Sequence, residues 1–205
     1  MEVSNDASPI INVGNCATPV QKGSKRKMTS RNNSVVSRTQ SDIIGPLTDI
    51  EIASELINVF RRLSDSNTKS KIETGGILGG RKVGDKYRLT HLIIPSQTAK
   101  SDSFEITNAT EIHDYFEDNS NLLNLGIIHT HPGFESFLSS IDMHMLYGYT
   151  CLNPSAISIV LAPERNTYPA YSLTALGMNT LNTCPLRGTI TLQKCVQVGY
   201  PCPVL

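Results

Sequence analysis

Residues 126–144, GIIHTHPGFESFLSSIDMH, constrain this chain more than any other stretch. Only five histidines occur in 205 residues, and three of them fall here. LLNLGIIHTH reads as a buried strand running into the histidines. Alternation then puts His129 and His131 on one face, so both imidazoles can reach a single point. Pro132 stops the strand, and SSIDMHMLYGYTCL reads as a helix capped by Ser139 or Ser140. Asp142 lies in the first turn of that helix. Strand end, loop and helix start can therefore gather His129, His131 and Asp142 around one ion. Two imidazole nitrogens and one carboxylate oxygen suit Zn²⁺, and three protein ligands leave a fourth position open, as in a catalytic zinc site.

Hydrolytic chemistry at such a site also needs a proton acceptor and a donor for the developing oxyanion. Ser139, at the helix start, can supply an O–H. The carboxylate must come from elsewhere, and Glu73 is the candidate. It heads ETGGILGG, where paired glycines let a strand or a substrate approach closely. The isolated histidines His91 and His113 read instead as hydrogen-bonded core residues.

Around this centre, helices and strands alternate. PLTDIEIASELINVFRRLS reads as a helix beginning at a Thr48/Glu51 capping box. ETGGILGGRK and DKYRLTHLIIP read as two strands around a turn at residues 83–85, and TNATEIHDYFEDN as a short helix. SAISIVLAP, YPAYSLTAL and RGTITLQKCVQV read as later strands. The fold class is therefore α/β (α+β): a mixed sheet flanked by helices. Residues 1–45, rich in Ser, Asn, Thr and Lys/Arg, show no such periodicity and read as a solvated tail. The Lys25–Arg26–Lys27 cluster belongs to that tail. Residues 46–205 read as the domain.

Lys plus Arg and Asp plus Glu both number 18, and this zero net charge argues against nucleic acid as a partner. The apolar runs are too short to insert in a membrane. The five cysteines suggest no disulfide framework, and no signal peptide pattern opens the sequence, so a cytoplasmic setting is expected.

Glu73, His129-Thr-His131-Pro132 and Ser139-x-x-Asp142 together resemble the JAMM (MPN-plus) motif of zinc-dependent isopeptidases. The likeness is closer to the AMSH-like deubiquitinase branch. It runs through IETGGILGG, LIIPSQTAKSDS, LGIIHTHPGFESFLSSIDMH, SAISIVLAP and YSLTALGMNTLNTC, and covers roughly residues 47 to 190. The resemblance implies a curved sheet between helices, similar to cytidine deaminases. It implies one catalytic zinc on His129, His131 and Asp142, with Glu73 as general base and Ser139 stabilising the oxyanion. Phe137 matches a substrate-binding position. The implied substrates are ubiquitin or polyubiquitin chains, with lysine-sixty-three linkage preferred, and the implied setting is the endosome with its sorting proteins.

That branch also carries a second, structural zinc. His144 and Cys184 match two of its ligands, but Ile190 and Leu192 stand where two further histidines belong, and two ligands do not close a tetrahedral site. His144 and Cys184 are therefore expected to be a remnant, and Cys195 and Cys202 to be inert thiols. The alternatives are a JAMM hydrolase acting on another ubiquitin-like modifier, and a non-cleaving MPN-type scaffold that binds ubiquitin.

Overall fold

The computed structural model describes residues 11–12 and 50–184. Its elements run β1 Ile11–Asn12, β2 Ile50–Ile52, α1 Ser54–Lys69, β3 Gly75–Val83, β4 Lys86–Ile93, β5 Gln97–Ala99 and β6 Phe104–Ile106. They continue with α2 Ala109–Asp118, β7 Leu123–Thr130, α3 Ser140–Leu152, β8 Ile157–Leu161, β9 Ala170–Tyr171 and α4 Ala175–Asn182. A single 3₁₀ turn, Pro163–Arg165, separates β8 from β9.

One mixed, curled sheet has the order β1-β4-β3-β7-β8-β9, with β2 also pairing with β4. β3 is antiparallel to both β4 and β7, whereas β7 and β8 are parallel, joined by the α3 crossover. β5 and β6 form a separate hairpin. On one face α1 packs Leu56, Ile57 and Phe60 onto Leu78, Leu89, Leu92, Leu125 and Ile128. On the other face Ile77, Ile93 and Ile127 meet Ile112 and Phe116 of α2 and Met145 of α3. Ile112, Phe116 and Met145 are partly buried; each of the fully buried side chains contributes about 1.5–3 kcal/mol.

Strict alternation along β7 would put Leu125 and Ile127 on the same face. The β3–β7 register slips by one residue between Ile77 and Gly79, and Gly126 takes φ +116° there. This bulge moves Leu125 to the α1 side with Ile128, and leaves Ile127 on the other. Gly126 also lets β8 approach: a Cβ at this position would lie 1.9 Å from the Ile157 carbonyl oxygen.

Several expectations are corrected. The first helix starts at Ser54, not at Thr48, which lies outside the described residues. Ile50 and Ile52 pack against the α1 core, while Glu51 between them turns outward to Arg88 at 2.9 Å. That period of two fits a strand, and β2 runs parallel to β4. YPAYSLTAL is a strand only at Ala170–Tyr171; Thr174 then accepts from the Gly177 N–H and caps α4. His113 is exposed, 3.3 Å from Glu117 one helical turn away, because α2 turns Ile112 and Phe116 inward instead. His91 is buried and shares a 2.7 Å hydrogen bond with Thr90. Ile11–Asn12, within the segment read as a tail, pairs antiparallel with Leu92 and His91 of β4; two residues are too few to show periodicity. RGTITLQKCVQV lies outside the described residues.

Candidate metal centre

His129 is the penultimate residue of β7, and His131 follows the strand end. Both are buried, and their Nε2 atoms approach to 3.1 Å. Asp142 enters from the first turn of α3. Ser139 caps that helix with a reciprocal box: its Oγ accepts from the Asp142 N–H at 3.2 Å, and its own N–H donates to Asp142 Oδ2 at 2.7 Å. The box aims the carboxylate at the histidines, with Oδ1 3.2 Å from His129 Nε2 and Oδ2 3.6 Å from His131 Nε2. Ser139 Oγ uses a lone pair in the cap, so its hydrogen is still available to a ligand.

The donor set tests whether a metal fits. His131 Nδ1 lies 3.0 Å from the Glu135 carbonyl oxygen, which can only accept. That bond places the hydrogen on Nδ1 and turns the Nε2 lone pair toward Asp142 and His129. The Nε2 atoms of His129 and His131 and the two oxygens of the Asp142 carboxylate thus converge, with separations of 3.1–3.6 Å between residues. A tetrahedral ion with bonds of about 2.0–2.2 Å spaces its ligands by about 3.3–3.6 Å. His129, His131 and Asp142 therefore form a group able to hold a metal ion.

The electrostatics agree. Burial raises the Asp142 carboxyl, but His129, His131 and Ser139 outweigh it and hold the group well below the usual carboxylate range. Burial lowers His131, yet Asp142, the Glu135 carbonyl and Glu73 leave it raised overall. Glu73 is buried just before β3, its Oε1 3.8 Å from His131 Nε2. Burial pushes its carboxyl up to about 8; His131 opposes this, while Asp142 and Asp102 add to it.

Phe137 stands edge-on to His131 with ring centroids 5.0 Å apart and is half-exposed; Phe134, in the same loop, is also half-exposed. The loop carrying both is tied down by Arg165 to Glu135 at 3.3 Å, by Ser136 to Thr167 at 2.8 Å, and by the Tyr171 hydroxyl donating to the Ser136 carbonyl. His144 and Cys184 also come together, Nε2 to Sγ 3.3 Å, while His144 Nδ1 faces the Ser140 carbonyl. Neither belongs to the group formed by His129, His131 and Asp142. Ile190, Leu192, Cys195 and Cys202 lie outside the described residues.

The sequence reading missed the clamps around Glu73. Thr74 N–H donates to Thr130 Oγ1 at 2.9 Å, Thr130 N–H returns to the Thr74 carbonyl at 3.0 Å, and Gln97 bonds the Gly75 backbone. The only local signal was Pro95, which marks the end of β4.

A mixed α/β domain thus carries, at a strand end, a buried two-histidine, one-carboxylate cluster able to hold a metal ion, with a further carboxyl beside it. Residues 46–155 match the family model described as JAB1/Mov34/MPN/PAD-1 ubiquitin protease. AMSH-like ubiquitin thioesterase 1 of Arabidopsis thaliana is 41% identical over 143 residues, covering 68% of this chain and 28% of that protein. AMSH-like protease of Mus musculus is 34% identical over 177 residues, covering 86% of this chain and 39% of the relative. STAM-binding protein-like A of Danio rerio is 35% identical over 153 residues, covering 75% and 36%. The chain belongs to the JAB1/Mov34/MPN/PAD-1 family, in its AMSH-like branch. Its matched part spans between 28% and 39% of the length of these three relatives.

Proposed function

We propose that this chain is a zinc-dependent isopeptidase that hydrolyses ubiquitin–lysine isopeptide bonds, with lysine-sixty-three-linked polyubiquitin as its preferred substrate. The observation that carries this reading is the convergence of His129 Nε2, His131 Nε2 and Asp142 within 3.1–3.6 Å, with the Glu73 carboxyl 3.8 Å from His131. His129, His131 and Asp142 hold the ion. Zinc bound there supplies the Lewis acidity that makes water a nucleophile near neutral pH.

Glu73 takes the proton from the attacking water and returns it to the departing lysine amine. A carboxyl that burial has already raised is suited to carry a proton, and a nearby cation favours its ionised form. Ser139, whose hydroxyl hydrogen is not used by its cap, donates to the oxyanion. Phe137 gives the substrate an apolar contact beside His131. The domain is residues 46–205 with Ile11–Asn12 on its β4 edge, and zinc at the single catalytic site is its cofactor. Ubiquitin chains are the proposed partners in a cytoplasmic setting. Association with endosomal sorting proteins is part of the same proposal, supported by the relative named STAM-binding protein-like A. No helix among the described residues is long and apolar enough to cross a membrane.

The test is cleavage of lysine-sixty-three-linked di-ubiquitin by the purified, zinc-loaded chain, with Glu73→Ala as control and other linkages alongside. Cleavage that the control loses supports the reading. A chain that binds zinc and ubiquitin without cutting any linkage is a scaffold, and the proposal then fails.

A further inference from the structure

β4 ends at Ile93, which faces Ile77 of β3. Continued in the same register, Pro95 would face Gly75, and proline has no N–H to give a ladder. Gly75 therefore meets a different partner on that side. Its N–H donates to Gln97 Oε1 at 2.7 Å, and Gln97 Nε2 donates back to the Gly75 carbonyl at 2.9 Å and to the Pro95 carbonyl at 3.1 Å. A side-chain amide thus takes the place of a strand peptide, accepting and donating across one residue. The opposite edge of the segment is held by β7, through the reciprocal Thr74–Thr130 bonds. From the same hairpin as Gln97, the Lys100 carbonyl accepts the Glu73 N–H at 2.8 Å. Above the segment lies the Phe104 ring, which a Cβ on Gly75 would meet at 2.0 Å.

The Glu73 carboxyl has no hydrogen bond of its own among the described residues; its Oε1 lies 3.8 Å from His131 Nε2. Its position is therefore set by its main chain, two residues from Gly75. Two of the three proposed metal ligands are held by other bonds, and His129, which lies opposite Gly75, is also paired with Val160 of β8. His131 is oriented by the Glu135 carbonyl, and Asp142 by the Ser139 box.

We propose that Gln97 is a positioning residue, whose amide closes the open edge of β3 at Gly75 and thereby holds the Glu73 carboxylate against the His129–His131–Asp142 cluster. This rests on the reading of Glu73 as the proton carrier. It separates two properties of the site: Gln97 governs where the base sits and leaves metal binding alone. Its loss lowers turnover without releasing zinc or weakening substrate binding.

The experiment uses the full chain with Gln97→Ala, Gln97→Glu and Glu73→Gln. The glutamate variant keeps the length of the side chain and accepts from the Gly75 N–H, but once ionised it has no hydrogen for the carbonyl. Gln97→Ala should keep one zinc per chain and KM within about twofold, while kcat falls about 10²-fold, the effect of a base displaced by about 1 Å. Gln97→Glu should lie between it and the parent, and stands in for it if the alanine variant does not fold. Independently of turnover, amide exchange at Gly75 should accelerate in Gln97→Ala and stay slow in Gln97→Glu. The Glu73 carboxyl ¹³C resonance, single in the parent, should broaden or split in Gln97→Ala. Parental kcat and an unchanged Glu73 resonance in folded, zinc-loaded Gln97→Ala overturn the proposal. So does loss of zinc and KM in step with kcat, which marks a general structural role. If Glu73→Gln is inactive while Gln97→Ala turns over normally, Gln97 alone is misassigned. If Glu73→Gln keeps parental turnover, the base assignment falls, and the Gln97 proposal falls with it.

Discussion

Glu73→Gln separates the folding and chemical consequences of one buried carboxyl. In the metal-free protein burial holds that carboxyl up at about 8, against an ordinary 4.5. The unfolded chain loses this proton above 4.5, while the folded chain keeps it until about 8. The folded state thus binds more protons throughout that window, and stability falls as pH rises across it. The contribution is intact below 4.5 and fully lost above about 8. At pH 7 about 2.5 pH units have been crossed, and at about 1.4 kcal/mol per unit the loss is about 3 kcal/mol. Glutamine matches the protonated acid in shape and never ionises. Chelator-treated Glu73→Gln should therefore be more stable than the parent by about 3 kcal/mol at pH 7 and equal to it at pH 4.5. In a domain of this size that raises the melting temperature by about 6–12 °C. The assay is thermal or urea unfolding of both proteins at four pH values from 4.5 to 8. Groups remote from residue 73 cancel in the difference, but His131 does not, because Glu73 itself helps to raise it. An offset independent of pH, or a variant less stable at pH 7, refutes the argument. With zinc present, turnover by the same variant should fall about 10³-fold.

Zinc added to the chelated chain should raise its melting temperature, by the equivalent of about 2.7 kcal/mol at a hundred times the dissociation constant, and Asp142→Asn should abolish the rise. A melting temperature indifferent to zinc would remove the metal site. Ser139→Ala should cost about 1 kcal/mol in urea unfolding through the lost cap, and about 10²-fold in kcat with KM kept. Full activity in that variant would mean that the hydroxyl serves the helix alone. Gly126→Ala should destabilise by about 3 kcal/mol or more, since its Cβ would lie 1.9 Å from the Ile157 carbonyl in a backbone conformation unsuited to alanine. A loss under about 1 kcal/mol in urea unfolding would contradict the close approach of β7 and β8.

The parts of the site legible in the sequence are those written within one turn or one strand. His-x-His at a strand end and Ser-x-x-Asp at a helix start follow from local periodicity and capping, and the structure joins them as those rules imply. Elements were misread where two local rules competed. At residues 50–52 a capping pattern and helical spacing masked the Ile-Glu-Ile alternation that β4 selects. At residues 172–182 an apolar stretch hid the Thr174 cap. Gln97 was illegible because its role depends on which backbone lies opposite Pro95, and pairing partners are not written in a single strand. The face on which Leu125 lies was hidden for a similar reason, since the bulge at Gly126 exists only against the register of β3.

The chain positions of these groups also bear on how the site assembles. His129, His131 and Asp142 come from one strand–loop–helix stretch, so only a short loop must close to bring them together. Glu73 lies just before β3 and joins them only when β3 pairs with β7. Loop closure favours the short-range event. On the proposed reading, the three ligand residues would therefore come together with less loop to close than Glu73 requires. If the proposed function holds, the same separation means that metal content alone would not measure activity, because a change near Glu73 need not touch the three ligand residues.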